Sequence, residues 1–188
     1  MDNLSKKNIK RKNIAKSCCT LFANDGFLDI SISKLAITAG IGKGTIYEYF
    51  ENKEDIVFEL MTCLQEDYDD KFHLNLKIAV TKEEKIYKLF DLFLSKDENI
   101  LIQKEIYKQF LIICMSKPSD KIIKYNTNLR DKYISLLENI INNYKQSAKI
   151  YDTIIGFFIA SNSLEKYDLE LCIKTFIKTE LKIYKENI

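Results

Sequence analysis

At 188 residues the chain is long enough for one large domain or two small ones, and for burying roughly 70% of its unfolded surface, so it needs no disulfide or metal to fold. Hydrophobic residues at 46% and charged residues at 30% are the proportions of a soluble globular protein, and one proline with five glycines excludes a β-sandwich, which needs many more turn residues. The net charge of +2 hides an uneven layout: residues 1–16 hold Lys6, Lys7, Lys10, Arg11, Lys12 and Lys16 against Asp2 alone, and the rest is close to neutral. A basic arm on a near-neutral body suits a nucleic-acid-binding head, although a solvated basic helix face has the same composition.

The cysteines, Cys18, Cys19, Cys63, Cys114 and Cys172, are odd in number and form neither a C-x-x-C nor a zinc-finger spacing. With no signal peptide in view, they are expected as small buried hydrophobes in a reducing cytoplasm. No apolar run approaches the roughly 20 residues of a membrane span, so no membrane association is expected.

Helical periodicity runs from end to end. Ile9, Ile14, Leu21 and Phe22, with small Ala15 and Cys18, predict a first helix from Lys6 to Asn24, closed by Gly26 as a left-handed residue. Ser31 is the expected N-cap of a short second helix carrying Ile32, Leu35 and Ala36, which Gly40 ends. A third short helix covers Lys43 to Tyr49. Asn52 caps a fourth, with Asp55 at N3 and Ile56, Val57, Leu60 and Leu64 on its inner face, reaching about Phe72. Beyond Lys82 the pattern predicts one helix through Ile86, Leu89, Phe90 and Phe93, another from Ile100 to Met115, and a start at Pro118. A long segment from Ile122 to Tyr144 follows, then helices at Ile150–Ser161 and Asp168–Tyr184. The expected fold is therefore all-α with nine helices.

Two short helices joined across a glycine, with a third helix before them, have the geometry of a helix-turn-helix, whose second helix enters the major groove N-terminus first. Here that helix begins Gly42-Lys43-Gly44-Thr45-Ile46-Tyr47. Gly42 and Gly44 let backbone approach a phosphate, and free N–H groups at the helix start attract the anion. Lys43 adds a cation. Thr45 can offer a hydroxyl to phosphate or a methyl to thymine, and Tyr47 and Tyr49 can donate to flanking phosphates. Ile46 and Phe50, four apart, should face inward. Lys53 begins the next helix and can clamp a further phosphate.

Over Arg11–Asp55 the chain resembles the TetR family of repressors. The match runs without a gap through Ile14, Leu21-Phe22, Gly26-Phe27, Ser31, Leu35-Ala36, Ala39-Gly40, Gly44-Thr45-Ile46-Tyr47, Tyr49-Phe50 and Lys53-Glu54. The resemblance implies an all-helical homodimer with a three-helix N-terminal head, a variable ligand-binding body, and dimerisation through the last two helices. It also implies DNA contacts by Ser31, Ser33, Lys43, Gly44, Thr45, Tyr47, Tyr49 and Lys53. The chain departs from the family at Ile30, where Thr is usual; at Gly42, where Ser is usual; and at Ser17-Cys18, which replaces a pair of alanines.

The expected division is a DNA-binding domain over residues 1–53 and a helical ligand-binding and dimerisation domain over 54–188. The body offers no catalytic or metal constellation: His73 is the one histidine, expected at the surface, and no P-loop or paired cysteine appears. No enzyme activity and no cofactor are expected. In the family a subset of the body's aromatic residues lines a cavity, which here points to Phe90, Phe93, Tyr107, Phe110 and Tyr133 around a small, largely apolar effector, with Gln103, Tyr107, Asn126 and Tyr133 orienting it. Apolar residues crowd most of one late helix and stripe the next, through Ile155, Phe158 and Ile159, then Cys172, Ile173, Phe176 and Ile177, which is the pattern of a dimer interface. The expected function is a ligand-responsive repressor that binds a palindromic double-stranded operator as a homodimer. The competing reading is a protein-interaction adaptor with a vestigial head.

Overall fold

The computed structural model describes residues 3–76, 78–116 and 118–186. The side chains of His73 and Tyr184 lie outside the described residues, and with them the expected surface position of one and the stripe position of the other. Eleven α-helices are present among the described residues: α1 Asn3–Ser17, α2 Cys19–Asp25, α3 Ile32–Thr38, α4 Lys43–Tyr49, α5 Lys53–Leu76, α6 Lys82–Leu89, α7 Asp91–Leu94, α8 Glu98–Ser116, α9 Asp120–Ile141, α10 Tyr144–Ser161 and α11 Leu169–Glu186. The all-α expectation holds. The excess over nine comes from two helices that break.

The first break is at Cys18. The Ser17 hydroxyl donates to the Ile14 carbonyl at 2.8 Å, and the Cys18 N–H turns to Ala15 O at 3.1 Å. A serine bonding back to its own helix competes with the ladder in this way. The second break is at Phe90 (φ −111°, ψ 23°), which separates α6 from α7 and leaves both Phe90 and Phe93 buried. One boundary also moves. Asn142 adopts the left-handed conformation (φ 62°, ψ 39°) and ends α9, while the Asn143 side chain accepts from Gln146 N at 3.0 Å and starts α10 at Tyr144 rather than Ile150. Asparagine is among the few residues that tolerate that φ, so the Asn-Asn pair punctuates a pattern that periodicity alone reads as continuous.

The described residues pack as two compact units, one formed by residues 1–71 with 96–118 and the other by 72–95 with 119–188. In the first, α2 packs against α8 and α3 against α4. Its core holds Ile14, Phe22, Leu35, Ile46, Phe50 and Leu60, each at most 3% exposed. In the second, α9 packs on α10, α10 on α11, and α6 on both α9 and α11. Phe90, Phe93, Tyr133, Tyr151 and Phe158 form one aromatic cluster there, with ring centroids 4.8 Å apart for Phe93–Phe158 and 5.6 Å for Tyr133–Tyr151. Cys18 and Cys63 are buried, and burial pushes both thiols, and that of Cys19, above the ordinary cysteine range, as for hydrophobes rather than reactive groups. Among the described residues no helix is long and apolar enough to cross a membrane.

Candidate nucleic-acid interface

The α3–α4 pair is built by its caps. Ser31 accepts from the Lys34 N–H at 3.2 Å and so starts α3, as expected, even though the buried neighbour Ile30 has no hydroxyl. Gly40, at φ 66°, ends α3. Its N–H reaches Ile37 O at 3.0 Å and the following Ile41 N–H reaches Ala36 O at 3.0 Å, the paired closure of a Schellman turn. This turn sets the angle between the two helices. Gly42, in extended conformation, then begins α4 with no side-chain cap on the helix start.

The inner face of α4 is fixed by Ile46 (0% exposed) and Phe50 (2%), the two residues expected to point inward. Its outer face presents Gly42, Lys43, Gly44 and Tyr47 to solvent, with Thr45 and Tyr49 half-buried at the edges. A Cβ built on Gly44 meets nothing within 4 Å, and one on Gly42 meets only the Thr45 hydroxyl, at 3.9 Å. Gly44 also lies inside a helix without a positive φ, so nothing inside the chain requires a glycine there. The helix gives up about 0.5–1 kcal/mol relative to alanine, and the bareness is useful only to something that approaches from outside. Ser33 is likewise exposed on α3.

Two residues that brace this surface escaped the sequence-based site assignment. Arg11 on α1 bonds Glu59 at 2.6 Å and Asp55 at 3.0 Å, donates to the Tyr49 carbonyl, and lies 4.3 Å from the Phe50 ring centroid. It thereby ties the end of α4 to the first turns of α5. Those turns are capped by Asn52, whose side chain accepts from Asp55 N at 2.8 Å. Gln109 on α8 accepts from the Phe27 N–H at 3.2 Å and packs beneath Gly26, whose φ of 75° is open to glycine. Arg11 marks the start of the stretch that resembles the family, but its partners lie 38 and 48 residues away, so no local pattern marks it as a brace. Gln109 carries no sequence signal, because its partner is a backbone N–H 82 residues away.

Lys53 sits differently from a solvent-facing phosphate clamp. Its ammonium donates to Phe27 O and Leu28 O at 2.9 Å and to Ile30 O at 3.2 Å, and lies 4.5 Å from the Phe27 ring centroid. All three N–H groups are directed at the loop before α3.

The seven residues expected at an effector site fall into two groups. Phe90, Phe93 and Tyr133 belong to the aromatic cluster of the second unit, and Asn126 is half-buried on α9 of that unit. Tyr107 and Phe110 lie in the first unit, with ring centroids 6.4 Å apart, and Phe110 meets Phe58 edge to face at 5.5 Å; Gln103 is half-buried on the same helix. Of the expected interface residues, Phe158, Ile173 and Ile177 are buried inside the second unit. Ile159 is exposed and Ile155, Cys172 and Phe176 are half-buried, while Gly156 and Leu171, near them in sequence, are exposed.

Residues 14–60 match the family model of bacterial regulatory proteins of the tetR family. Over 151 residues, 78% of this chain and 74% of the relative, the sequence is 28% identical to the fatty acid metabolism regulator protein of Bacillus subtilis. It is 27% identical, over 97% of its length and 96% of the relative's, to the dhaKLM operon transcriptional activator DhaS of Lactococcus lactis. The fold is shared with the crystal structure of the transcriptional regulator FadR from Bacillus subtilis in complex with stearoyl-CoA, at a TM-score of 0.63, 22% identity, and coverage of 89% of this chain and 96% of that one. Residues 14–60 therefore match the regulatory head of the tetR family, and the relatives that match most of the chain are transcriptional regulators.

Proposed function

We propose that the chain is a ligand-responsive repressor, with residues 1–53 binding a palindromic operator and residues 54–188 binding effector and pairing with a second copy. The observation that carries this reading is the outer face of α4: two glycines that nothing inside the chain requires, an exposed Lys43 with no ion pair among the described residues, and an exposed Tyr47, all on a helix locked from behind by Ile46, Phe50 and Arg11. Ser31, Ser33, Gly42, Lys43, Gly44, Thr45, Tyr47 and Tyr49 form the DNA-facing set, and Lys53 holds the loop that carries α3.

The effector is a small, largely apolar molecule, bound by the aromatic residues of the body. A long acyl chain, carried as a thioester, is the first candidate for that apolar part, because the B. subtilis relative is named for fatty acid metabolism and the fold neighbour FadR from Bacillus subtilis was crystallised with stearoyl-CoA. Pairing through α10 and α11 is supported by Ile159 and Leu171, apolar yet 39% and 61% exposed. An activating role is the second reading, favoured by the full-length similarity to DhaS.

A gel shift with DNA from upstream of the protein's own gene tests the reading. Lys43→Ala and Tyr47→Ala are each expected to weaken binding tenfold or more, and stearoyl-CoA to release the DNA. Unchanged affinity in both variants would mean that α4 is not the recognition helix; DNA binding indifferent to stearoyl-CoA would remove the acyl thioester alone.

A further inference from the structure

The six N-terminal bases are divided by the structure into two sets. Arg11, Lys12 and Lys16 face α5, where Arg11 meets Asp55 and Glu59, Lys12 meets Glu66 at 2.6 Å, and Lys16 meets Asp67 at 2.9 Å. These charges are balanced within the chain. Lys6, Lys7 and Lys10 are exposed on the first turns of α1, Lys10 directly before Arg11, and no ion pair involves them among the described residues. Lys7 lies 6.0 Å from the Tyr49 ring centroid, at the end of α4, and an open cleft of about 340 Å³ is lined by Lys6, Lys7, Glu48 and Tyr49. Two of the three uncompensated lysines, Lys6 and Lys7, are therefore beside the recognition helix. The compensated part is turned toward α5.

We propose that Lys6, Lys7 and Lys10 form a second phosphate-binding edge, which contacts the operator backbone flanking the groove that α4 enters. This rests on the DNA-binding reading above and extends it to residues outside the helix-turn-helix. The chemistry is that of unpaired ammonium groups against phosphodiesters, which adds affinity and salt dependence without reading sequence. The three charges lie on the first turns of one helix, so they act as a line tracking a strand. Lys12 and Lys16, with the same side chain, contribute nothing comparable because their acids travel with them.

The test uses full-length protein and a duplex enriched from a random-sequence pool by the wild type, with affinity measured across a salt series. Failure of the wild type to enrich any duplex would overturn the DNA-binding reading and this inference with it. Given binding, Lys6→Ala/Lys7→Ala/Lys10→Ala is expected to weaken affinity by ~10-fold or more at low salt. It should also make the slope of log K against log salt shallower by roughly 2–3 per protomer, at about 0.9 per phosphate contact released. The Lys→Arg triple variant should keep the wild-type slope, and Lys12→Ala/Lys16→Ala should leave it unchanged. An unchanged slope in the alanine triple variant, or an equal change in the Lys12/Lys16 pair, would overturn the second edge and leave the recognition helix standing.

Discussion

Gly44 separates stability from binding at a single atom. A methyl group there meets nothing in the chain, and the backbone is already helical. Gly44→Ala should therefore raise unfolding stability by about 0.5–1 kcal/mol, chiefly by restricting the unfolded chain. If the bare backbone serves contact with phosphate, the same variant should bind operator at least tenfold more weakly. Chemical denaturation and a binding titration on one sample check both, and a variant that is stabilised yet binds normally would leave the glycine without a function. Arg11 acts in the opposite sense: it touches the Tyr49 carbonyl, the Phe50 ring, Asp55 and Glu59, so it holds the end of α4 against α5. Cap chemistry at Ser31 and Asn52 and the inward pair Ile46 and Phe50 were readable from sequence, because each depends on neighbours within four residues. The engagement of Lys53 was not, since the carbonyls it meets belong to a loop more than 20 residues earlier.

That loop, residues 26–31, is the element through which the helix-turn-helix is held. Its carbonyls take the Lys53 ammonium from α5, and its Phe27 N–H takes Gln109 from α8. Lys53→Met keeps much of the side-chain length and removes the charge. The expected outcome is a loss of about 1.5–3 kcal/mol of stability, the range for hydrogen bonds to a charged donor, with an unchanged salt slope of DNA binding. A slope shallower by about 1 with stability intact would instead make Lys53 a phosphate contact. At this scale the sequence shows its limits in the helix breaks. Periodicity continues through Ser17-Cys18 and through Phe90, because the apolar face is kept on both sides of each break, and the cause is a local hydrogen bond or φ/ψ choice that periodicity does not register. The boundary at Asn142-Asn143 carried a chemical signal, an asparagine pair, which the strong pattern on either side outweighed. Similarly, the stripe on α10 and α11 is apolar over more than one face. Which of its residues serve the chain's own core and which a partner depends on where α9 and α6 pack.

For the whole molecule, the charge layout is more informative than the net charge. An excess of two positive charges says little, whereas four acids on α5 neutralise half of the basic arm and leave Lys6, Lys7 and Lys10 unpaired among the described residues, the first two beside α4. The recognition surface, the loop that holds it and the flanking lysines all serve one claim: the chain grips DNA with α4, and two copies do so together. Hydroxyl-radical footprinting of the wild type on its enriched duplex tests this most directly. The account predicts two protected patches related by symmetry, with centres about one helical turn, 10–10.5 bp, or a whole multiple of it apart, and both lost together in Tyr47→Ala. A single asymmetric patch, or protection that survives Tyr47→Ala unchanged, would contradict it.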